Sequence, residues 1–314
     1  MKILGSKLAV LIVGMVIGAV VVGLFQTVRP AAKAPAIPGT PNFAPPLRSQ
    51  EPPPSRGHEA LVTGAFSGRT REVLTELPEL IRGVPEGEPN LKLVSKMREV
   101  LPVSDESRRT LSFSLLLEAM RREDAPLVAQ LFAELKGRGL EFHPEANFFA
   151  QRWGELDPEA ALQYVVEEGS FERGGVLVDR IMRGWAMHDP KQAVDWVREQ
   201  PESPRKDEAV AGLAAGWARH DPVEATAFVN SLTMSPGRVR AAEVVFWQIL
   251  YGQGLEAASA WYDDLPKDPE FTPVRERVFQ HFQQRQLQRG TPEADAWVDA
   301  RRQQLNELKA RQQR

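Results

Sequence analysis

Gly184-Trp185-Ala186-Met187-His188-Asp189-Pro190-Lys191-Gln192-Ala193-Val194-Asp195-Trp196 decides the fold, because the stretch recurs. One copy downstream the chain reads Gly216-Trp217-Ala218, then Asp221-Pro222, Ala225 and Phe228. One copy upstream it reads Trp153, Asp157-Pro158, Ala161 and Tyr164. With the Asp as position zero, each copy carries Trp at −4, Pro at +1, Ala at +4 and an aromatic at +7. Weaker copies open at Asn90 (Val94, Met97), Ala125 (Ala129, Phe132), Gly254 (Ala258, Trp261) and Gly290 (Ala294, Trp297). The intervals from Asn90 onward are 35, 32, 32, 32, 33 and 36 residues. A period of this length marks stacked helical repeats, in which no single copy buries its own apolar face.

Each feature of the copy has a physical role. Asp157, Asp189 and Asp221 are helix N-caps, since a carboxylate accepts from the free N–H groups of the first turn. The Pro that follows each one is tolerated at the first helical position, where an N–H has no intrahelical partner. Ala at +4 and the aromatic at +7 then share one helix face. Small Ala161, Ala193 and Ala225 let a neighbouring helix approach, and the aromatic fills the groove beside it. A breaker at +12 (Pro102, Gly137, Gly169, Pro201, Pro266) ends the helix after about three turns. A second helix then leads to the next Trp, most clearly over Val176–Trp185 and Ala209–Trp217. The expected fold is all-α, an α-solenoid of two-helix repeats. Its core is expected to hold Trp153, Trp185, Trp196, Trp217, Phe228, Trp261 and Trp297 with the three alanines. Trp247 falls one turn before the expected place in its copy.

The array resembles the tetratricopeptide class of two-helix repeats in length and in its small and aromatic knobs, although Asp-Pro replaces the usual turn. It is more similar to bacterial envelope proteins that carry Gly-Trp-Ala-x-x-Asp-Pro-x-x-Ala repeats. That string stands here as Gly184-Trp185-Ala186 and Gly216-Trp217-Ala218 with their following Asp-Pro. The resemblance covers about residues 120 to 300. It implies a helical-repeat architecture in the cell envelope and transfers no catalytic residue.

The N-terminus carries a different signal. Leu8 to Phe25 is an unbroken apolar run of 18 residues, with Lys2 and Lys7 before it and Arg29 and Lys33 after. That length spans a bilayer core with help from flanking residues. A cleaved signal peptide is the competing reading, but its apolar region is shorter, roughly 7–15 residues. The best small-x-small site, Ala32-Lys33-Ala34, is followed by Pro35, a poor position for cleavage. Residues 8–25 therefore read as an uncleaved anchor in a bacterial inner membrane. The lysines favour a cytoplasmic N-terminus, which places the repeat domain in the periplasm or outside the cell. Gly14 and Gly18 form a small-xxx-small pair on which two copies could associate as a homo-oligomer. Pro30 to Pro54 holds nine prolines and reads as a semi-rigid spacer. The expected organisation is an anchor over 1–28, a Pro-rich linker over 29–57, a helical repeat domain over 58–300 and a polar helical tail over 301–314.

The 314-residue chain carries 39 basic and 42 acidic residues, a balance that predicts no nucleic-acid partner. It has no cysteine, which excludes disulfides, thiolate metal sites and a cysteine nucleophile. His188 and His220 each precede a repeat Asp. One rung apart, about 10 Å on the helix-packing distance, they cannot share a zinc ion unaided. They read instead as helix C-terminal residues. His58, His143 and His281 lack partners at ligand spacing. The pairs Glu167-Glu168 and Asp263-Asp264 are adjacent, so they do not face each other on a helix. No nucleophile elbow, phosphate loop or His-Glu-x-x-His string is present. Hence no catalytic residue, metal ligand or cofactor is expected. Arg183, Lys191, Arg198 and Arg219 stand as generic surface positions. The function that follows is a non-enzymatic, membrane-anchored scaffold binding a protein or peptide partner. The alternatives are a cell-wall-acting enzyme or accessory domain, and a self-associating structural protein.

Overall fold

The computed structural model describes residues 69–137, 143–168, 174–286 and 291–312. These form α-helices and two short 3-10 turns, with no strand among the described residues. No helix among them is long and apolar enough to cross a membrane. The run Leu8–Phe25, the Gly14 and Gly18 pair and the Pro-rich stretch lie outside the described residues. So does Gly290.

The chain divides into two compact units. The first, residues 69–86 and 90–119, packs α1 (Arg69–Ile81), α2 (Leu91–Val100) and α3 (Glu106–Glu118) on one another. Val73, Leu93, Met97, Phe113 and Leu116 are fully enclosed at its centre. Asn90 caps α2 by accepting from the Leu93 N–H at 3.1 Å.

The second unit, Gly87–Pro89 with residues from Met120 onward, holds the strong copies of the repeat. It opens with α4 (Ala125–Gly137). A row of long helices follows: α5 (His143–Leu156), α7 (Gly174–His188), α9 (Pro204–Trp217), α11 (Pro236–Gln253) and α13 (Thr272–Gln286). Between them come the shorter helices α6 (Pro158–Glu168), α8 (Pro190–Glu199), α10 (Pro222–Ser231) and α12 (Leu255–Asp264), and α14 (Pro292–Gln312) closes the chain. The most extensive contacts join successive long helices, α5 to α7, α7 to α9 and α9 to α11. Helices α6, α8 and α10 each seat on the long helix before and the long helix after.

Neighbouring long helices run parallel, offset by about one repeat. Gly212 and Gly216 of α9 lie against Asp179 and Arg183 of α7. Further along, Glu243 and Tyr251 of α11 meet Arg277 and Arg285 of α13. Glycine makes the α7–α9 approach feasible. A Cβ at Gly216 would lie 2.3 Å from the Arg183 carbonyl oxygen, and one at Gly212 would lie 2.2 Å from that of Asp179. Close backbone approach between long helices thus falls at Gly184, Gly212 and Gly216, while Ala161, Ala193 and Ala225 stand on the short helices. Those alanines are nonetheless fully buried.

Each short helix of the three strong copies begins as the Asp-Pro pattern dictates. The Oδ1 atoms of Asp157, Asp189 and Asp221 accept from Ala160, Gln192 and Glu224 N–H groups at 3.3, 3.0 and 2.9 Å. Two long helices use the same device with Ser-Pro. Ser203 accepts from the Lys206 N–H at 3.2 Å and Ser235 from the Arg238 N–H at 3.1 Å. Asp189→Ala is expected to cost about 1 kcal/mol in urea unfolding as a lost cap; an unchanged midpoint would remove the capping role. At the C-terminus, the expected boundary at residue 300 falls inside α14. Arg301 pairs with Asp263, and Lys309 reaches Glu276 at 2.7 Å, so this segment is tied back onto the preceding helices.

Candidate functional site

The repeat aromatics lie where the long and short rows meet. Trp153 faces Tyr164 with ring centroids 5.3 Å apart, Trp185 faces Trp196 at 6.3 Å and Trp217 faces Phe228 at 5.8 Å. Trp153, Trp185, Phe228 and Trp297 are buried. Trp196, Trp217 and Trp261 are half-buried, their outer edges reaching solvent. In the Gly254 copy, position −4 is Leu250 and Phe246 supplies the missing ring, 6.1 Å from Trp261. Trp297 closes the last copy against Phe282 at 4.4 Å. Contacts of this kind stabilise the packing between rows and leave little aromatic face for a ligand.

The long row also carries charge. Arg183 stands two residues before Trp185, about 200° around the helix, so it points away from the short row. Around it runs a seam of ionic groups that crosses four helices. Asp179, Arg180 and Arg183 come from α7, Glu208 from α9, Arg240 and Glu243 from α11, and Arg277 and His281 from α13. Arg240 pairs with Glu208 of the helix before it. Arg277 meets Glu243 at 2.8 Å, and the other oxygen of Glu243 takes His281 Nδ1. Each pair spans about one repeat, so the parallel stacking of the helices generates the ladder. The side chains are partly open to solvent, 42% exposed for both Arg240 and Arg277. Such exposed pairs contribute little stability individually.

The α7 end of the seam is the most perturbed. Burial pushes the Asp179 carboxyl above the ordinary carboxylate range, with Arg183 and Arg180 opposing. Burial likewise pulls the Arg183 guanidinium below its usual value, partly offset by Asp179. Arg180 Nε lies 3.6 Å from Asp179 Oδ2, and the Nε atoms of both arginines are buried without a hydrogen-bond partner. Of the generic surface positions, Lys191, Arg198 and Arg219 are exposed, whereas Arg183 is half-buried. The sequence marked Arg183 only as one polar residue among several. Its distinction arises from the neighbours one repeat away, which the repeat register could have supplied.

His188 and His220 are exposed, and no group of three metal-binding side chains occurs among the described residues. Asp263, of the adjacent acidic pair, is taken up by Arg301. His58 lies outside the described residues, as do the side chains of His143, Glu167 and Glu168. Set against known proteins, the chain matches no family model, no curated protein and no solved structure.

Proposed function

We propose that this chain is a membrane-anchored α-solenoid whose long-helix face binds a protein or peptide partner in the bacterial envelope. The observation that carries the reading is the charged seam. It is partly exposed and it crosses consecutive parallel helices. A stack of repeats offers an extended surface suited to a chain-like ligand. The apolar run Leu8–Phe25 would hold the array at the inner membrane, with the Pro-rich stretch as a spacer on its outer side. The test is chemical cross-linking of the tagged full chain in its native membranes. One dominant partner in near-equal amount is expected, and recovery of the bait alone would count against the reading.

A second reading, an enzyme acting on the cell wall, draws on the raised carboxyl of Asp179, the kind of group that acid catalysis uses. It would require glycan hydrolysis that Asp179→Asn abolishes.

A further inference from the structure

Resting on the scaffold reading, we propose that Arg183, with Arg180 and Arg219 beside it, grips a carboxylate side chain of an acidic peptide lying along the long-helix seam. Four arginines of the second unit find an acid on a neighbouring repeat. Arg240 has Glu208, Arg277 has Glu243, Arg238 has Glu270 and Arg301 has Asp263. Arg183 has no such acid. The residues 32 positions before and after it are Gln151 and Ala215. The Gln151 amide is spent on Glu155 and Met187, and Ala215 is buried and apolar.

What surrounds Arg183 is mostly of its own sign. Arg180 and Arg219 repel it, and Asp179 alone attracts it. Arg180 and Arg183 both draw on the Asp179 carboxylate, which lies 3.6 Å from Arg180 Nε. Arg183 makes no ion pair or hydrogen bond with a described residue, and its Nε is shielded from water. A guanidinium that has lost part of its hydration without gaining a partner is costly to hold, and an incoming anion offsets that cost. Its planar fork fits a carboxylate with two parallel hydrogen bonds, strengthened by charge. A peptide suits the place better than a free ion because the cluster is one end of a longer polar seam. Beyond it, the Glu208–Arg240 and Glu243–Arg277 pairs offer further donors and acceptors to an extended chain.

The probe is a fluorescein-labelled twelve-residue oligoglutamate, titrated into the purified full-length chain in detergent micelles, with oligolysine of equal length as control. The oligoglutamate is expected to bind and the oligolysine not. Arg183→Gln is expected to weaken binding by about tenfold or more, the loss of one charge-assisted contact. Arg198→Gln, an exposed arginine of the short row, should stay within about twofold of the parent. Thermal melting of Arg183→Gln should be unchanged or higher, because no ion pair is lost; a clear fall would make Arg183 a structural residue and overturn the proposal. Failure of the parent to bind oligoglutamate, or equal binding by Arg183→Gln, would also overturn it. A native partner cross-linked equally to parent and Arg183→Gln would remove this site and leave the scaffold reading standing. A partner found with neither would remove both.

Discussion

Replacing Gly212 and Gly216 together by Ala is expected to destabilise the second unit by several kcal/mol. The direction is the informative part. In an exposed helix, Gly→Ala gains up to about 1 kcal/mol, because Ala has less backbone freedom to lose. Here each added methyl would sit 2.2–2.3 Å from a backbone carbonyl oxygen of α7. A flexible side chain cannot yield to relieve that contact, so the two helices must separate. Overpacking of this kind costs roughly 1–3 kcal/mol per site. The control is Gly252→Ala near the end of α11, where a Cβ would meet nothing within 4 Å. That variant should be neutral or slightly stabilised. Urea unfolding of the three proteins checks the pattern. A double variant as stable as the parent would mean that α7 and α9 do not touch along their backbones.

Trp185→Ala is expected to cost about 3–5 kcal/mol, the range for deleting a large enclosed ring. The indole is 6% exposed and faces Trp196 across the contact between α7 and α8. Its loss removes packing from both rows at once. Trp196→Ala should cost less, since that ring is only half enclosed. If Trp185→Ala left the unfolding midpoint in place and abolished partner binding, the indole would belong to a ligand site and not to the core.

These two residues show how far the sequence could be read. Helices and their starts were legible because Asp-Pro carries its own mechanism, and the three Asp side chains cap as that pattern requires. The Ser203-Pro204 and Ser235-Pro236 starts used the same chemistry and were available by the same reasoning. The spacing of Trp185 and Trp217 placed them on the contact between helices. It could not say how deeply, because the depth depends on the crossing of rows that the period alone does not specify. The role of Gly216 was hidden for a related reason. A glycine in a helix reads as a weakness until the neighbouring backbone is in place. Arg183 was less legible. The repeat register sets Gln151 and Ala215 one copy away from it, but the burial of its guanidinium depends on the stacking.

The division between residues 86 and 120 has no signature in the repeat. Asn90 caps its helix, and Met97, at its +7 position, is fully buried, so the local pattern holds there. What separates that copy from the rest is long-range packing, to which a repeat alignment is blind.

The most direct test of the account places a photo-activated cross-linking residue at single positions of the full chain in native membranes. Arg180 and Arg277 sample the long-helix seam, and Lys191 and Glu224 sample exposed positions on the short helices. One partner is expected to be captured from the two seam positions and not from the other two. Capture only from the short helices, or from none of the four, would contradict it.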